Sequence, residues 1–241
     1  MSEVATPSTS RDLDAAAPAG AAEEAGRRVV IVRHGRTAWN AAGRAQGHAD
    51  VELDGLGHAQ ASAVAPYLAS LEPVALWTSD LARARQTCGY LEQATGLVAK
   101  QDERLREFAV GARQGLTMPE FAERHPEEYA AWVRGDGSHR VAGAEVAAEV
   151  HSRMVAALED ALAQLSAGQT GVVVTHGACL KIGVVGILGW PDAISTALRG
   201  IDNCAWVTVE ELSFGGRLRM SGYNESVRPG HDAPQRLPDE G

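Results

Sequence analysis

The chain has 241 residues, of which 45% are hydrophobic, and its 31 acidic residues outnumber its 22 basic ones to give a formal charge of −9. This acidity argues against a general nucleic-acid binder or a basic membrane-surface protein. Cys88, Cys179 and Cys204 form no CxxC pair, which argues against a disulfide framework or a zinc site and fits a reducing, cytoplasmic setting. The longest apolar run, Ile182–Trp190, is shorter than the ~20 residues of a membrane span.

The two ends differ in composition from the rest of the chain. Residues 1–26 lack aromatic residues and apolar periodicity, and residues 222–241 contain three prolines among polar residues. Both are predicted to be loose tails, the first of them disordered. The tails carry −4 and −2 of the charge, which leaves −3 on residues 27–221. These 195 residues are enough for one domain with a sizeable core.

Residues 27–101 alternate between short β-branched runs and stretches of helical apolar spacing. Pro66 interrupts the first helical stretch and predicts a kink or a late start of that helix. The predicted elements are a strand at Arg27–Val32, a helix at Asp54–Leu71, a strand at Ala75–Thr78, a helix at Leu81–Ala94 and a strand at Leu97–Gln101.

The section Glu107–Gly143 contains two prolines and a glycine-rich loop at 135–139, so we expect short helices and loops there, in the position of a lid or cap. Strands that alternate with helices predict an α/β fold with a largely parallel sheet. The remaining predicted elements are a helix at Ala144–Leu165, a strand at Val172–Thr175, a helix that runs to about Leu188, and a closing hairpin of Ala205–Glu210 and Arg217–Ser221.

Two of the predicted strands end at a histidine. The first runs into Arg33-His34-Gly35 and the fourth into His176-Gly177. Functional groups of parallel sheets collect beyond the carboxyl ends of the strands, so two imidazoles are expected at one rim. An arginine at the end of a buried strand needs an anion to offset its desolvation, which gives Arg33 a candidate role.

The segment 33–40, RHGRTAWN, resembles the RHGxTxxN signature of the histidine phosphatase superfamily, also called the phosphoglycerate mutase-like family. This resemblance implies a three-layer α/β/α fold with a largely parallel central sheet, and it allows a homodimer. The similarity continues at Gln46-Gly47 with Asp50, at 53–57 (LDGLG), at 79–87 (SDLARARQT), at Leu105-Arg106-Glu107 and at Thr175-His176-Gly177.

The resemblance also implies the catalytic roles, and the needs of phosphoryl transfer agree with them. His34 is the expected nucleophile and would form a phosphohistidine, with its other ring nitrogen held by a backbone carbonyl. Arg33 and Arg83 would bind phosphate oxygens through their planar guanidinium groups, and His176 would add a third donor. Glu107 would protonate the leaving oxygen and then deprotonate the attacking water.

Five further residues are candidate substrate contacts: Thr37, Asn40, Gln46, Arg113 and Gly177. Gly177 stands at the start of a predicted helix, where its backbone N–H is free to approach the phosphate. Many phosphatase relatives read GxWEG where this chain reads GARQG at 111–115. Arg113 could therefore contact a second negative group such as a carboxylate. No metal or other cofactor is expected, because the arginines and histidines supply positive charge. The other histidines, at positions 48, 58, 125, 139, 151 and 231, show no ligand spacing and are interpreted as surface or structural.

Three functions are compatible with these residues. The leading hypothesis is a metal-independent phosphomonoesterase that acts on a small phosphorylated metabolite, such as a sugar phosphate or a phosphoglycerate-type ester. A mutase would use the same five catalytic residues but return the phosphoryl group to a bound acid, and arginines at 113, 124, 134 and 140 keep this alternative open. A non-catalytic phosphate-binding module is disfavoured because no catalytic residue is missing.

Overall fold

The computed structural model of the protein describes residues 26–136, 141–212 and 216–227. Within these ranges six strands form one sheet: β1 (Arg28–Arg33), β2 (Ala75–Thr78), β3 (Lys100–Gln101), β4 (Thr170–Thr175), β5 (Trp206–Glu211) and β6 (Leu218–Glu225). The order is β3-β2-β4-β1-β5-β6, in which the first four strands run parallel. β5 is antiparallel to β1, and β6 to β5, so the sheet is mixed.

Helices cover both faces of this sheet and connect its strands. They are α1 (Ala38–Ala41), α2 (Gly55–Ala69), α3 (Ala82–Thr95), α4 (Met118–Arg124), α5 (Pro126–Ala131), α6 (Ala147–Ala163), α7 (Gly177–Ile187) and α8 (Ile194–Ala197). Short 3-10 turns at Glu103–Leu105 and Gly111–Arg113 and a π-helical turn at Trp132–Asp136 complete the described section between β3 and α6, in which short helices were predicted.

The alternation of side chains along β1 divides the core into two layers. Val29 and Ile31 belong to a cluster built with residues of α6 and α7, whereas Val30 and Val32 belong to a cluster built with α2 and α3. β4 divides in the same way. Strands buried on both faces read as continuous β-branched runs, and this explains why both were recognisable in the sequence. The predicted three-layer α/β/α fold is confirmed.

The helix predicted at Asp54–Leu71 is present as α2, and the late start suggested by Pro66 is wrong. α2 begins at Gly55 because the Asp54 side chain caps it by accepting from the Gly57 N–H at 2.8 Å. The predicted strand Leu97–Gln101 shrinks to Lys100–Gln101, since only these residues pair with β2.

The predicted domain end at residue 221 is also wrong, because β6 continues to Glu225. The prolines and polar residues of 222–241 suggested a loose tail, but its first residues continue the pairing with β5, with a register shift between Trp206 and Val207. Asn224 takes up this irregularity with a φ of 53° and donates to the Asp202 carboxylate at 2.9 Å. The strand therefore continues through Gly222 and Asn224, although both residue types are unfavourable in a regular strand.

Several predictions fall on residues that the structure does not describe. The N-terminal tail lies outside the described residues except for Gly26, and the C-terminal tail beyond residue 227 does so as well. Parts of the glycine-rich loop at 135–139 and of the hairpin turn at Gly215-Gly216 are likewise outside them. Across the described residues, none of the helices combines the length and the apolar character needed to cross a membrane.

Candidate active site

The register of the two central strands brings the predicted histidines together. Arg33 at the end of β1 pairs with Thr175 at the end of β4, and the His34 N–H donates to the Thr175 carbonyl at 2.9 Å. The rings of His34 and His176, one residue further on, have centroids 5.1 Å apart and meet edge to face at 60°. Adjacent parallel strands thus place both imidazoles at one rim of the sheet.

This rim forms the floor of a cavity of about 520 Å³, within the usual range for small-molecule sites. Seven of the ten predicted site residues line the cavity, whereas His176, Thr37 and Gly177 do not. The seven are Arg33, His34, Asn40, Gln46, Arg83, Glu107 and Arg113.

His34 is held as a neutral imidazole in one tautomer. Its Nδ1 lies 2.7 Å from the Gly35 carbonyl, and because a carbonyl only accepts, Nδ1 must carry the hydrogen. Nε2 is then the nitrogen with a free lone pair. Burial holds the pKa of His34 well below its usual 6.5, and the charges of Arg83 and Arg33 lower it further. The imidazole is therefore unprotonated and nucleophilic at neutral pH.

Arg83 is a fully buried cation and Arg33 a half-buried one, and the hydrogen bonds of both go to neutral groups. Arg33 donates from Nη1 to the Ile201 carbonyl at 2.6 Å, and Arg83 donates to the Gly47 and Ala49 carbonyls at 2.8 Å each. Burial lowers the pKa of both guanidinium groups, that of Arg83 to about 10, which still leaves them charged at neutral pH. Carbonyl partners orient these cations without neutralising them.

His176 orients the Arg83 side chain through a hydrogen bond within the protein. Arg83 Nε donates to His176 Nδ1 at 3.1 Å, so the ring hydrogen is on Nε2, which donates to Ser79 Oγ at 2.9 Å. Burial first, and Arg83 second, hold the pKa of His176 well below 6.5. Both ring nitrogens thus bond within the protein, and the role of His176 as a third phosphate donor stays a prediction.

The Glu107 carboxylate lies at the N-terminus of α7. Oε1 accepts from the Cys179 and Phe108 N–H groups, and Oε2 accepts from the Ala178 N–H, each at 3.0 Å. Sequence reasoning expected this helix end to face the phosphate through Gly177. The structure shows instead that its first-turn donors bind a carboxylate of the protein, which the partial positive charge of a helix N-terminus favours.

Gly177 has a packing reason to be glycine that the sequence did not reveal. A Cβ at this position would lie 3.2 Å from Arg33 Nε and 3.4 Å from Arg33 Cδ. The absence of a side chain therefore lets Arg33 cross the start of α7. A direct contact between the Gly177 N–H and phosphate stays a prediction.

The remaining polar candidates separate into a structural residue and two cavity residues. Thr37 is fully buried and forms a capping box with Asn40, so a substrate contact by Thr37 is not supported. Asn40 Oδ1 is engaged by Thr37 and, at 3.4 Å, by Asn203 Nδ2, which leaves the Asn40 NH₂ group to face the cavity. Gln46 lines the cavity and its buried Oε1 has no partner.

The loop that carries Glu107 is fixed by an ion pair that sequence reasoning did not assign. Arg153 donates to the Glu107 carbonyl at 3.0 Å and to the Arg106 carbonyl at 2.6 Å, and it pairs with Glu145 at 2.9 Å. His48, interpreted from sequence as surface or structural, lies with Nε2 2.8 Å from the same Glu107 carbonyl. Sequence reasoning gave Arg153 no contact with this loop, because the Arg106 and Glu107 carbonyls that it binds lie 47 and 46 residues away in the chain.

Arg113 lies in the cavity wall between two aromatic rings. Its guanidinium carbon is 5.0 Å from the centre of the Trp132 ring and 5.6 Å from that of Phe121. Neither aromatic residue was recognised from the sequence. Burial alone lowers the pKa of Arg113, and no acidic group opposes that shift.

The unsatisfied polar atoms of the protein converge on this cavity. Among the described residues, the buried side-chain nitrogen and oxygen atoms without a hydrogen-bond partner are Arg33 Nε, Gln46 Oε1 and Arg113 Nε. All three residues line the same cavity. Buried polar groups without partners are costly, and their grouping in the residues of one cavity is typical of a functional site.

Metal-ligating side chains do not gather in the part of the chain that the structure describes. No group of three or more His, Cys, Asp or Glu side chains there has the geometry to hold an ion. The positive charge of the cavity comes from arginines instead.

A family model described as the histidine phosphatase superfamily (branch 1) matches residues 29–224. The chain belongs to this superfamily. The match covers all six strands and ends close to the end of β6.

Relatives agree with this assignment in sequence and in structure. The chain is 35% identical over 218 residues to a glucosyl-3-phosphoglycerate phosphatase of Mycobacterium tuberculosis, with 86% of this chain and 98% of the relative covered. It is 34% identical over 182 residues to a probable phosphoglycerate mutase of Yersinia enterocolitica, with 76% and 84% covered. The solved mycobacterial glucosyl-3-phosphoglycerate phosphatase in complex with VO3 gives a TM-score of 0.75 at 34% identity, covering 83% of this chain and 100% of that one. The prediction of an enzyme that hydrolyses phosphate esters is confirmed.

Proposed function

We propose that this enzyme hydrolyses a small phosphorylated metabolite, a sugar phosphate or a phosphoglycerate-type ester, through a phosphohistidine at His34 and without a metal ion. One observation carries the proposal. A neutral histidine with a free Nε2 lies in one cavity with two arginines that hydrogen-bond only to neutral groups and with a carboxylate held by backbone N–H groups. The names of the mycobacterial and Yersinia relatives support the substrate class, since both refer to phosphoglycerate compounds.

In the first step His34 Nε2 attacks phosphorus as the ester P–O bond breaks. Arg33 and Arg83 together bring two positive charges to the two negative charges of a phosphomonoester, and they hold the charge on the transferring group. Glu107, in its acid form, gives its proton to the leaving oxygen, so an alcohol departs. The Gly35 carbonyl accepts from His34 Nδ1 and stabilises the positive charge that develops on the ring.

In the second step water attacks the phosphohistidine and the P–N bond breaks. The Glu107 carboxylate removes a proton from that water, which restores its acid form, and His34 is released as a neutral imidazole together with inorganic phosphate. Each step therefore regenerates the protonation state of Glu107 that the other step requires.

Replacement of the nucleophile tests this function directly. We expect His34→Ala to abolish phosphate release from p-nitrophenyl phosphate and to abolish the acid-labile phosphoprotein detected by intact-mass spectrometry after a rapid quench. His58→Ala is the matched control, because His58 lies on α2 and bonds to Tyr90, outside the cavity lining. Full activity in His34→Ala would remove His34 as the nucleophile.

The mutase alternative is favoured by one observation, the 34% identity to a probable phosphoglycerate mutase. A mutase must exclude water and pass the phosphoryl group back to a bound acid. Incubation with 3-phosphoglycerate distinguishes the two reactions, because a hydrolase releases phosphate and glycerate whereas a mutase accumulates 2-phosphoglycerate. The cytoplasmic location and the homodimer stay predictions.

A further inference from the structure

Arg113 differs from the other arginines of the cavity in its acceptors, because Arg33, Arg44 and Arg83 each donate to carbonyl oxygens and Arg113 has no oxygen acceptor among the described residues. It makes no ion pair with any carboxylate of the described residues, and its side chain donates among them only from Nη2 to Met118 Sδ, at 3.9 Å. Its buried Nε has no partner. By contrast, Arg44 in the same cavity pairs with Glu120 at 2.6 Å. Arg113 is therefore a cation to which the described residues supply no counter-charge.

The two aromatic neighbours fix this cation in place without neutralising it. Trp132 and Phe121 lie 5.0 and 5.6 Å from the guanidinium carbon and hold it by their ring faces. Phe121 is itself fully buried in α4, which gives this clamp a rigid support. An arginine that is held by two neighbouring aromatic rings and has no acidic partner is prepared to bind a planar anion.

The charges of the cavity lead to the same conclusion. Arg33 and Arg83 match the two negative charges of a bound phosphomonoester, and Arg44 is matched by Glu120. Arg113 is the cavity arginine to which neither the phosphoryl group nor Glu120 corresponds, and a carboxylate on the ligand would pair with it.

We propose that Arg113 binds a carboxylate on the leaving group of the substrate, and that the enzyme therefore prefers phosphate esters of hydroxy acids over the same esters without the carboxylate. This inference rests on the proposed function and narrows its substrate class. The carboxylate would pair with the planar guanidinium group of Arg113, which favours bidentate binding of such anions.

A matched substrate series tests this subsite. The wild-type enzyme is assayed with ω-carboxyalkyl phosphates of increasing length, beginning with phosphoglycolate, and with alkyl phosphates of the same chain length. We expect kcat/KM to favour the carboxylate member by about tenfold to a hundredfold at the length that spans the site, as for a hydrogen bond to a charged group. The same pair at that length is then compared in Arg113→Met, where the advantage should disappear.

Two further variants separate the anion contact from packing and from general charge. Arg113→Lys keeps the positive charge but lacks the planar guanidinium group, so it should retain part of the preference for the carboxylate substrate. Arg44→Gln removes one positive charge from the same cavity, but one that is already paired, so the preference should stay within about twofold. Circular dichroism and thermal melts establish that each variant is folded, and if Arg113→Met is not, Arg113→Gln takes its place.

The outcomes distinguish the subsite from the catalytic function. If alkyl phosphates are hydrolysed but the carboxylate gives no advantage at any length, or if its advantage survives in Arg113→Met, the subsite is overturned and the phosphatase stands. If no ester is hydrolysed, the proposed function fails. In that case calorimetry measures the binding of matched alkyl and carboxyalkyl phosphonates, which are not cleaved, to wild type and to Arg113→Met. The subsite is overturned if the carboxylate gives no advantage in binding or if its advantage survives in Arg113→Met.

Discussion

The state of His34 follows from its position one residue beyond a buried strand. The strand burial that makes β1 recognisable also removes water from the imidazole, and two nearby arginines oppose its protonation. Desolvation and charge therefore act in the same direction, and the Gly35 carbonyl selects the tautomer. No dedicated residue is needed to activate this nucleophile.

The proton transfer assigned to Glu107 has a signature in the leaving group. An alkyl phosphate expels a strongly basic alkoxide and needs protonation, whereas p-nitrophenolate leaves readily without it. We expect Glu107→Gln to lower kcat for an alkyl phosphate by about a hundredfold to ten-thousandfold and to lower it far less for p-nitrophenyl phosphate. Steady-state rates on the two substrates measure this difference.

The same substitution at Glu103 is the control for this experiment. Glu103 is exposed, lies in the 3-10 turn four residues earlier and makes a single ion pair to Arg106 at 3.3 Å. Glu103→Gln should leave both rates unchanged. Equal losses on both substrates in Glu107→Gln would show that Glu107 positions groups and does not transfer the proton.

Among the elements, the start of α2 supports the loop that carries His34. A Cβ on Gly57 would lie 2.0 Å from the Arg36 carbonyl oxygen, and one on Gly35 would lie 2.6 Å from the Gly57 carbonyl oxygen. At these two glycines the helix and the loop thus approach backbone to backbone. The Asp54 carboxylate fixes this contact from two sides, because it caps α2 and also pairs with Arg36 at 2.9 Å.

Two glycines of α2 therefore respond differently to alanine. Gly57→Ala forces the helix and the His34 loop apart, and it should destabilise the protein by about 1–3 kcal/mol while also lowering kcat/KM. Gly55→Ala meets no atom within 4 Å and should be neutral or slightly stabilising. Denaturant unfolding and phosphatase assays of both variants check this contrast, and equal behaviour would show that the loop does not depend on this contact.

The elements that were predictable from sequence are those with a strong local pattern. β1 and β4 were predictable because both are continuous apolar runs, and their ends located His34 and His176. The positions of Trp132 and Phe121 beside Arg113 were not, because they depend on how short helices pack over the cavity. The Arg153 bonds to the Glu107 loop were equally hidden, since they join residues 46 and 47 apart in sequence.

At the scale of the whole molecule, the burial of neutral His34 and His176 couples the protonation of the site to stability. Their folded-state pKa values lie well below 6.5, so as the pH falls through 6.5 the unfolded chain binds protons that the folded protein does not. The stabilisation that comes from burying these two neutral histidines is fully present above about pH 6.5. It is lost progressively as the pH falls toward their lowered folded-state pKa values.

We therefore expect the free energy of unfolding to fall between about pH 7 and pH 5, by up to about 1 kcal/mol per pH unit for each of the two histidines. Urea titrations at a series of pH values measure this slope. The slope should be smaller in His34→Asn, because only one of the two buried imidazoles then remains. A free energy that does not change with pH across this window would contradict neutral burial of both rings.

The site is divided between the rim of the sheet and the segment that follows Glu107, and this division affects how the substrate range of the enzyme can change. His34, Arg33 and Arg83 are held by β1 and the start of α3, whereas Arg113 and its aromatic clamp belong to a different stretch of chain with short helices of its own. Exchange of residues in that stretch can redirect the enzyme to a new alcohol while the nucleophile keeps its geometry. Laboratory evolution of specificity should therefore concentrate its libraries on residues 110–132 and leave the strands untouched.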